Sequence, residues 1–372
     1  MRKKAKYIII CIVSFLIIVP AVAMIDKDCM AHYYFERITG HSYPKEGTYH
    51  KVSVDEMNGT TNKDKEQKIK KLMLENKING LVLFGDPAHK PTVVECKLSS
   101  DSKRSITPNT LYPIASLQKI YTGIAIQKLI DEGKINLSTT INKFYPNIAY
   151  GNKITVENLL THRSGIDDGN QQVSDVLKNE NIALSFVEKN LVSTGKIGNW
   201  NYSDSDYALL AGIISKVSGM SYEDYINKNI FVPSKLKSTK FYSQVNNEAN
   251  VISGNMESTG NDICFKNLKK KMSVALGAGG VFSSADDYWD FVNDLVNNKF
   301  IPLDKITSNS NNYYDGVYVG QGTLHADGSI NGCQSCFIVN CDSNQTFIFF
   351  TNNISFKQML KIRGKLAEIC FE

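Results

Sequence analysis

The sequence predicts an α+β fold, an antiparallel sheet flanked by helices with an inserted α-helical subdomain. Strand-like runs stand towards both ends of the chain, at residues 81–84 and 93–96 and again at 336–339 and 345–351, with helix-patterned sequence between them. Amphipathic helical spacing brackets those strands, over residues 63–76 and 355–371. Strands from both ends of a domain can share one sheet if terminal helices cover it and an α-rich insertion fills the middle.

The elements follow in order. Arg2, Lys3, Lys4 and Lys6 supply four of the five net positive charges of this 372-residue chain. The remainder is close to neutral and offers no basic surface for nucleic acid. Residues 7–25 carry no charge and are long enough to span a bilayer, which needs roughly 20 apolar residues. Ala21-Val22-Ala23 suits cleavage of a signal peptide, whereas the length of the apolar run suits a retained membrane anchor. On both readings the chain from Asp26 onward is extracytoplasmic, either secreted or held at the membrane by its N-terminal segment. Residues 26–60 lack periodicity and read as a linker, leaving 61–372 as the folded domain.

Within that domain, Ile69, Leu72 and Met73 share one face of the first helix among Lys and Glu. Residues 81–84, bounded by Gly80 and Gly85-Asp86-Pro87, are expected to pair with 93–96 as a hairpin. A long helical run over 120–130 stops at Asp131-Glu132-Gly133, where Gly133 can adopt the left-handed conformation that ends helices. The turn-rich stretch 340–344 separates the last two strands, and Phe356, Met359, Leu360, Ile362 and Leu366 mark the apolar side of the closing helix.

Cys11 lies in the apolar segment, leaving Cys29, Cys96, Cys264, Cys333, Cys336, Cys341 and Cys370, an odd number that cannot pair completely within one chain. Cys333-x-x-Cys336 has half the spacing of a zinc knuckle, but no second Cys or His pair follows, so no metal or other cofactor is expected. Bridges among Cys333, Cys336 and Cys341 and inert buried thiols are both open readings.

The chemistry centres on Ser116 and Lys119. Residues three apart at the start of a helix share a face, so the lysine amine can reach the serine hydroxyl. The helix N-terminus also favours the anionic oxygen. A lysine acts as a base when burial and its neighbours bring its pKa from about 10.4 towards neutrality.

The residues around this pair follow an ordered series. Leu111-Tyr112-Pro113-Ile114-Ala115-Ser116-Leu117-Gln118-Lys119 leads to the helix exit at Gly133-Lys134-Ile135-Asn136-Leu137, then to Leu160-Thr161-His162-Arg163-Ser164-Gly165. Next come Asn201-Tyr202-Ser203-Asp204, Leu276-Gly277-Ala278-Gly279-Gly280 and His325-Ala326-Asp327-Gly328-Ser329. Over roughly residues 65–372 this series resembles the serine β-lactamase and penicillin-binding-protein superfamily, in particular its class C-like hydrolases and D-alanyl-D-alanine carboxypeptidases.

The resemblance implies a β-lactamase/transpeptidase-like fold. It also implies an acyl-enzyme mechanism with Ser116 as nucleophile and Lys119 and Tyr202 moving the proton. It places Asp204, His325, Gly328 and Ser329 around the substrate, with a backbone N–H of the 325–329 strand joining that of Ser116 in an oxyanion hole. His162 falls in the match as a structural histidine, and the glycine-rich turn as a structural turn.

Two departures stand out. The second motif of the family is Tyr-x-Asn, and here Asp204 replaces the asparagine; a carboxylate there can pair with Lys119 and weaken it as a base. The third motif ordinarily carries a cation for the substrate carboxylate. Alignment on Gly328 puts Ala326 at that place and His325 one residue early, so a β-bulge would be needed to turn His325 into the cleft. By resemblance the substrates are D-alanyl esters of teichoic acids or D-alanyl peptides of peptidoglycan. The alternative is a catalytically impaired envelope-binding protein that keeps the fold.

Overall fold

A computed structural model describes residues 62–97, 106–246, 251–252, 265–307, 311–320 and 322–372, all within one compact unit. The apolar segment, the 26–60 linker, Cys11, Cys29 and Cys264 lie outside the described residues. No helix among the described residues is long and apolar enough to cross a membrane.

The described chain opens with α1 (Asn62–Glu75), burying Ile69, Leu72 and Met73, and continues into β1 (Gly80–Gly85) and β2 (Thr92–Cys96). A short β3 (Tyr112–Pro113) leads through a 3-10 turn (Ala115–Gln118) into α2 (Lys119–Asp131). The helical insertion comprises α3 (Val156–Leu160), β4 (Ile166–Asp167), α4 (Glu180–Asn190), β5 (Val192–Ser193), α5 (Asp204–Ser218) and α6 (Tyr222–Ile226). Then follow β6 (Lys240–Phe241), α7 (Phe265–Val274), β7 (Val281–Ser283), α8 (Ala285–Val296) and α9 (Leu303–Thr307). Five strands come next, β8 (Tyr313–Tyr314), β9 (Val317–Gly320), β10 (Thr323–Ile330), β11 (Cys333–Asn340) and β12 (Thr346–Thr351), before α10 (Phe356–Phe371) ends the chain.

The main sheet has seven strands in the order β2-β1-β12-β11-β10-β9-β8, each paired antiparallel to its neighbour. The α+β architecture is the expected one. Phe347, Ile348, Phe349 and Phe350 of β12 are all fully buried. Burial on both faces of this inner strand explains why it reads as an unbroken apolar run rather than an alternating one. α1 and α10 pack together over one face of the sheet, and the turn at Ala115–Gln118 meets β10 and β11. The reciprocal Ser355 and Gln358 contacts form a capping box that starts α10 at the predicted place. At the end of α2, Gly133 takes φ +71, and its N–H donates to Ile130 O at 2.9 Å.

The described cysteines Cys96, Cys333, Cys336, Cys341 and Cys370 are all free, which replaces the expectation of bridges among Cys333, Cys336 and Cys341. Burial pushes the Cys333 and Cys370 thiols up to about 12, far from the thiolate form that reacts.

Candidate active site

The turn that carries Ser116 is built on strain and close approach. Ala115 sits at φ +49, a left-handed conformation that costs a non-glycine residue of order 1–3 kcal/mol and persists only where surroundings over-determine it. Those surroundings are specific. The carbonyl of Ile114 accepts from Leu117 N at 3.2 Å and from Ser335 Oγ of β11 at 2.9 Å. Gly328 of β10 lies so close that an added Cβ would strike that carbonyl and the Ser335 hydroxyl. Along residues 111–120, Ser116 alone escapes full burial.

One turn on, Lys119 is completely buried, and its Nζ donates to Ser116 Oγ at 3.1 Å, to Asp204 Oδ1 at 2.6 Å and to Ala278 O at 3.2 Å. The glycine-rich turn thus does more than bend: it supplies a carbonyl to the lysine. Gly277 at φ +69 lets the turn lie against the Tyr207 carbonyl of α5, and Gly277 O in turn accepts from Thr122 Oγ1 of α2 at 2.7 Å. Gln118 ties the same turn down through its Oε1, which accepts from Gly280 N.

A third support was invisible as a site feature in the sequence. Asp315 and Gly316, at φ +53 and φ +92, form the two-residue turn between β8 and β9. Gly316 is packed directly on the backbone of Lys119 and Ile120, where no Cβ fits. Asp-Gly between apolar runs is a hairpin signal in its own right. Asp315 is fully buried, its Oδ1 accepting from Gln127 Nε2 of α2 at 3.1 Å, and burial pushes its carboxyl up to about 7.

Tyr202 and Asp204 occupy adjacent outward positions at the start of α5, both partly exposed, while Ser203 and Ser205 between and beyond them are buried. The Lys119 ammonium lies 4.9 Å from the centroid of the Tyr202 ring, a cation–π distance. The Thr161–Gly165 run holds this segment. His162 O accepts from Asn201 N at 2.8 Å, His162 Nδ1 accepts from Ser203 N at 3.3 Å, and the fully buried imidazole lies 4.3 Å from the Tyr202 ring and 3.0 Å from Asp206 Oδ2. His162 is therefore a positioning residue. Asp206 also accepts from Ser164 Oγ at 2.5 Å, and burial raises its carboxyl well above the ordinary range. Asp168, not singled out by its sequence context, accepts from Ser203 Oγ at 2.6 Å and Ser205 N at 2.8 Å, and so caps α5.

Aromatic rings cluster beside His162. Tyr313 sits 4.7 Å from His162, 4.8 Å from Tyr318 and 5.5 Å from Trp200, which is 41% exposed. Burial keeps the Tyr207 and Tyr313 phenols well above their ordinary pKa, so both rings are neutral walls.

The 325–329 strand corrects one expectation. β10 pairs with β11 in unbroken register from Thr323 to Ile330, without the bulge that would re-aim His325. Side chains alternate along such a strand. Ala326 and Gly328 face the nucleophile turn, while His325 shares the other face with Asp327, whose carboxylate is held by Arg363 of α10. The His325 ring stacks on Tyr318 at 5.1 Å, and burial, with Arg363 nearby, drives its pKa well below the ordinary value. It is neutral at neutral pH and lies on the strand face opposite Gly328, without the bulge expected to turn it towards Ser116. Ser329 is exposed at the end of the strand, next to Gly328.

The chain as a whole has parallels among known proteins. The family model described as Beta-lactamase matches residues 89–356. The chain belongs to the beta-lactamase family of serine hydrolases. It is 30% identical over 275 residues to the putative penicillin-binding protein PbpX of Bacillus subtilis, covering 70% of this chain and 67% of that protein. Its likeness to the teichoic acid D-alanine hydrolase of Staphylococcus aureus is 33% over 138 residues, 37% of this chain and about a third (34%) of that relative's length. Two solved structures share the fold. FmtA from Staphylococcus aureus has TM-score 0.70 at 21% identity, over 83% of this chain and 88% of that one. D-amino acid amidase from Ochrobactrum anthropi has TM-score 0.71 at 19% identity, over 82% and 97%.

Proposed function

We propose that this family member is an extracytoplasmic hydrolase that cleaves D-alanyl esters or D-alanyl peptides of the cell envelope through an acyl-enzyme on Ser116. The observation that carries this reading is the 3.1 Å contact between Ser116 Oγ and a fully buried lysine amine. As the Ser116 Oγ–carbonyl bond forms, the hydroxyl proton passes to the neutral amine of Lys119. As the leaving group departs, Lys119 and Tyr202 return that proton to it, and water then releases the acyl group. The backbone N–H of Ser116 and one from β10 near Ser329 would hold the developing oxyanion, each donor being worth about 10²–10³ in rate.

The names of two relatives, a penicillin-binding protein and a teichoic acid D-alanine hydrolase, support an envelope substrate. The uncharged 7–25 segment supports placement outside the cytoplasmic membrane, anchored or secreted. Esters are favoured over peptides with a free C-terminal carboxylate. Ala326 stands where the cation of the family would meet that carboxylate, and Arg363, which faces the strand from α10, is held by Asp327.

Purified full-length wild type and Ser116→Ala should be treated with a fluorophosphonate, then with D-alanylated teichoic acid and with a D-alanyl-D-alanine peptide. Wild type is expected to label and to release D-alanine from the ester, and the variant to lose at least about 10⁴-fold in rate. The Lys119–Asp204 pair favours one other reading, a binding protein whose base is locked. Absence of both labelling and hydrolysis in the wild type would select it.

A further inference from the structure

Lys119 Nζ is fully occupied as a donor. A lysine ammonium has three hydrogens, and all three have acceptors here, in Ser116 Oγ, Asp204 Oδ1 and Ala278 O. An amine donating in three directions has no lone pair for the serine proton. The shortest of these contacts, at 2.6 Å, is the charge-assisted one to Asp204. The ion pair is lopsided, because the Lys119 side chain is 0% exposed and that of Asp204 is 49% exposed. A ligand entering the cleft can reach the carboxylate and cannot reach the amine.

We propose that Asp204 receives a free α-ammonium group on the acyl half of the substrate, and that this binding releases Lys119 to act as the base. The inference rests on the acyl-enzyme reading above and deepens it. It selects unblocked aminoacyl esters over N-acylated donors such as peptides.

The distances allow it. In an aminoacyl ester the α-nitrogen lies about 2.5 Å from the carbonyl carbon, given the N–Cα and Cα–C bond lengths. Attack brings that carbon to about 3–3.5 Å from Ser116 Oγ. Asp204 Oδ1 and Ser116 Oγ both touch Lys119 Nζ, which limits their separation to about 6 Å, so the ammonium can reach the carboxylate while the carbonyl stays on the nucleophile. Two cations then share one carboxylate. The incoming ammonium takes the exposed side of Asp204 and displaces its contact with Nζ, so that one Nζ proton passes to water entering beside the carboxylate and the lone pair left behind turns to the Ser116 hydroxyl.

The remaining steps balance. The neutral amine takes the Ser116 hydroxyl proton as the Oγ–carbon bond forms. That proton goes to the departing alcohol oxygen as the ester C–O bond breaks, leaving the aminoacyl-enzyme. Water then adds to the acyl carbon and its proton returns Oγ to the hydroxyl, freeing the amino acid. An N-acylated donor brings no positive charge, so Asp204 keeps its hold on Lys119.

The test compares wild type and Asp204→Asn on two esters of one alcohol, D-alanyl and N-acetyl-D-alanyl. Wild type is expected to prefer the free-ammonium ester by about 100-fold or more in kcat/KM. Asp204→Asn should abolish or reverse that preference, losing activity on the first ester and gaining it on the second. A preference ratio equal within threefold in the two proteins would overturn the proposal. An uncharged fluorophosphonate provides the control. It should label Ser116 in Asp204→Asn at least as fast as in wild type, and labelling ten times slower in the variant would also overturn the proposal. If it labels neither protein, the acyl-enzyme reading itself fails.

Discussion

The two walls of the cleft are built on different principles. The nucleophile wall, from Ala115 to Lys119, is held by backbone: carbonyls of Ile114 and Ala278, the packed Gly328, and the Gly316 turn pressed on Lys119. The β10 wall is held by register, and what it presents depends on which residue falls on which face. The first wall brings Ser116 Oγ and Lys119 Nζ to 3.1 Å. The second puts Ala326 and Gly328 on the face towards Ser116 and His325 on the other. A site that is over-determined by backbone tolerates little, whereas a strand face can change its recognition by one substitution without disturbing its neighbours.

Substitutions that separate the walls sharpen this contrast. The largest effect is expected at Gly316→Val, where a branched side chain meets the backbone of Lys119 and Ile120 at a left-handed φ of +92. A loss of about 3 kcal/mol or more in urea unfolding, together with loss of Ser116 labelling, is expected. Unchanged stability would mean that the turn does not brace α2.

A moderate effect of opposite sign is expected at Asp315→Asn. Folding raises the Asp315 carboxyl to about 7, so the folded chain keeps a proton that the unfolded chain releases from about pH 4 upward. Its contribution to stability therefore falls as pH climbs from about 4 to about 7 and levels off above that. Asparagine tolerates φ +53, keeps an oxygen for Gln127 and carries no charge to bury. The variant should match wild type near pH 4 and exceed it by about 1–3 kcal/mol at pH 8, read from urea midpoints. Parallel pH curves for the two proteins would count against this.

The smallest effect belongs to the other wall. His325→Phe keeps the stack on Tyr318 and should leave KM for a carboxylate-bearing substrate within about threefold. A tenfold rise in KM would return the imidazole to the cleft.

Much of this arrangement was readable in the residues, and the exceptions have physical causes. The terminal helices, the β1–β2 hairpin and the β11–β12 pair were legible because period and turn chemistry are local signals. Ser116, Lys119 and Tyr202 were legible as an ordered series, and the structure brings them together with Asp204. The direction of His325 was not, because a one-residue difference in register moves a side chain to the opposite face and only pairing with β11 fixes that register. The Asp315–Gly316 turn carries a local hairpin signal, but its role under Lys119 depends on a helix almost two hundred residues earlier. Asp168 was missed for the same reason, since it caps a helix that begins 36 residues further on. Cysteine number leaves both bridges and free thiols open, and the described cysteines are all free.

The position of β12 has a consequence for how the molecule comes into being. This strand lies between β1 and β11, so β1 lacks its inner partner until residues 346–351 have been made. The sheet closes only when a segment far along the chain from β1 has joined it. A chain interrupted before Thr346 carries two open strand edges with no strand between them, and such edges are where polypeptides stick to one another. Truncation before Thr346 is thus expected to promote aggregation.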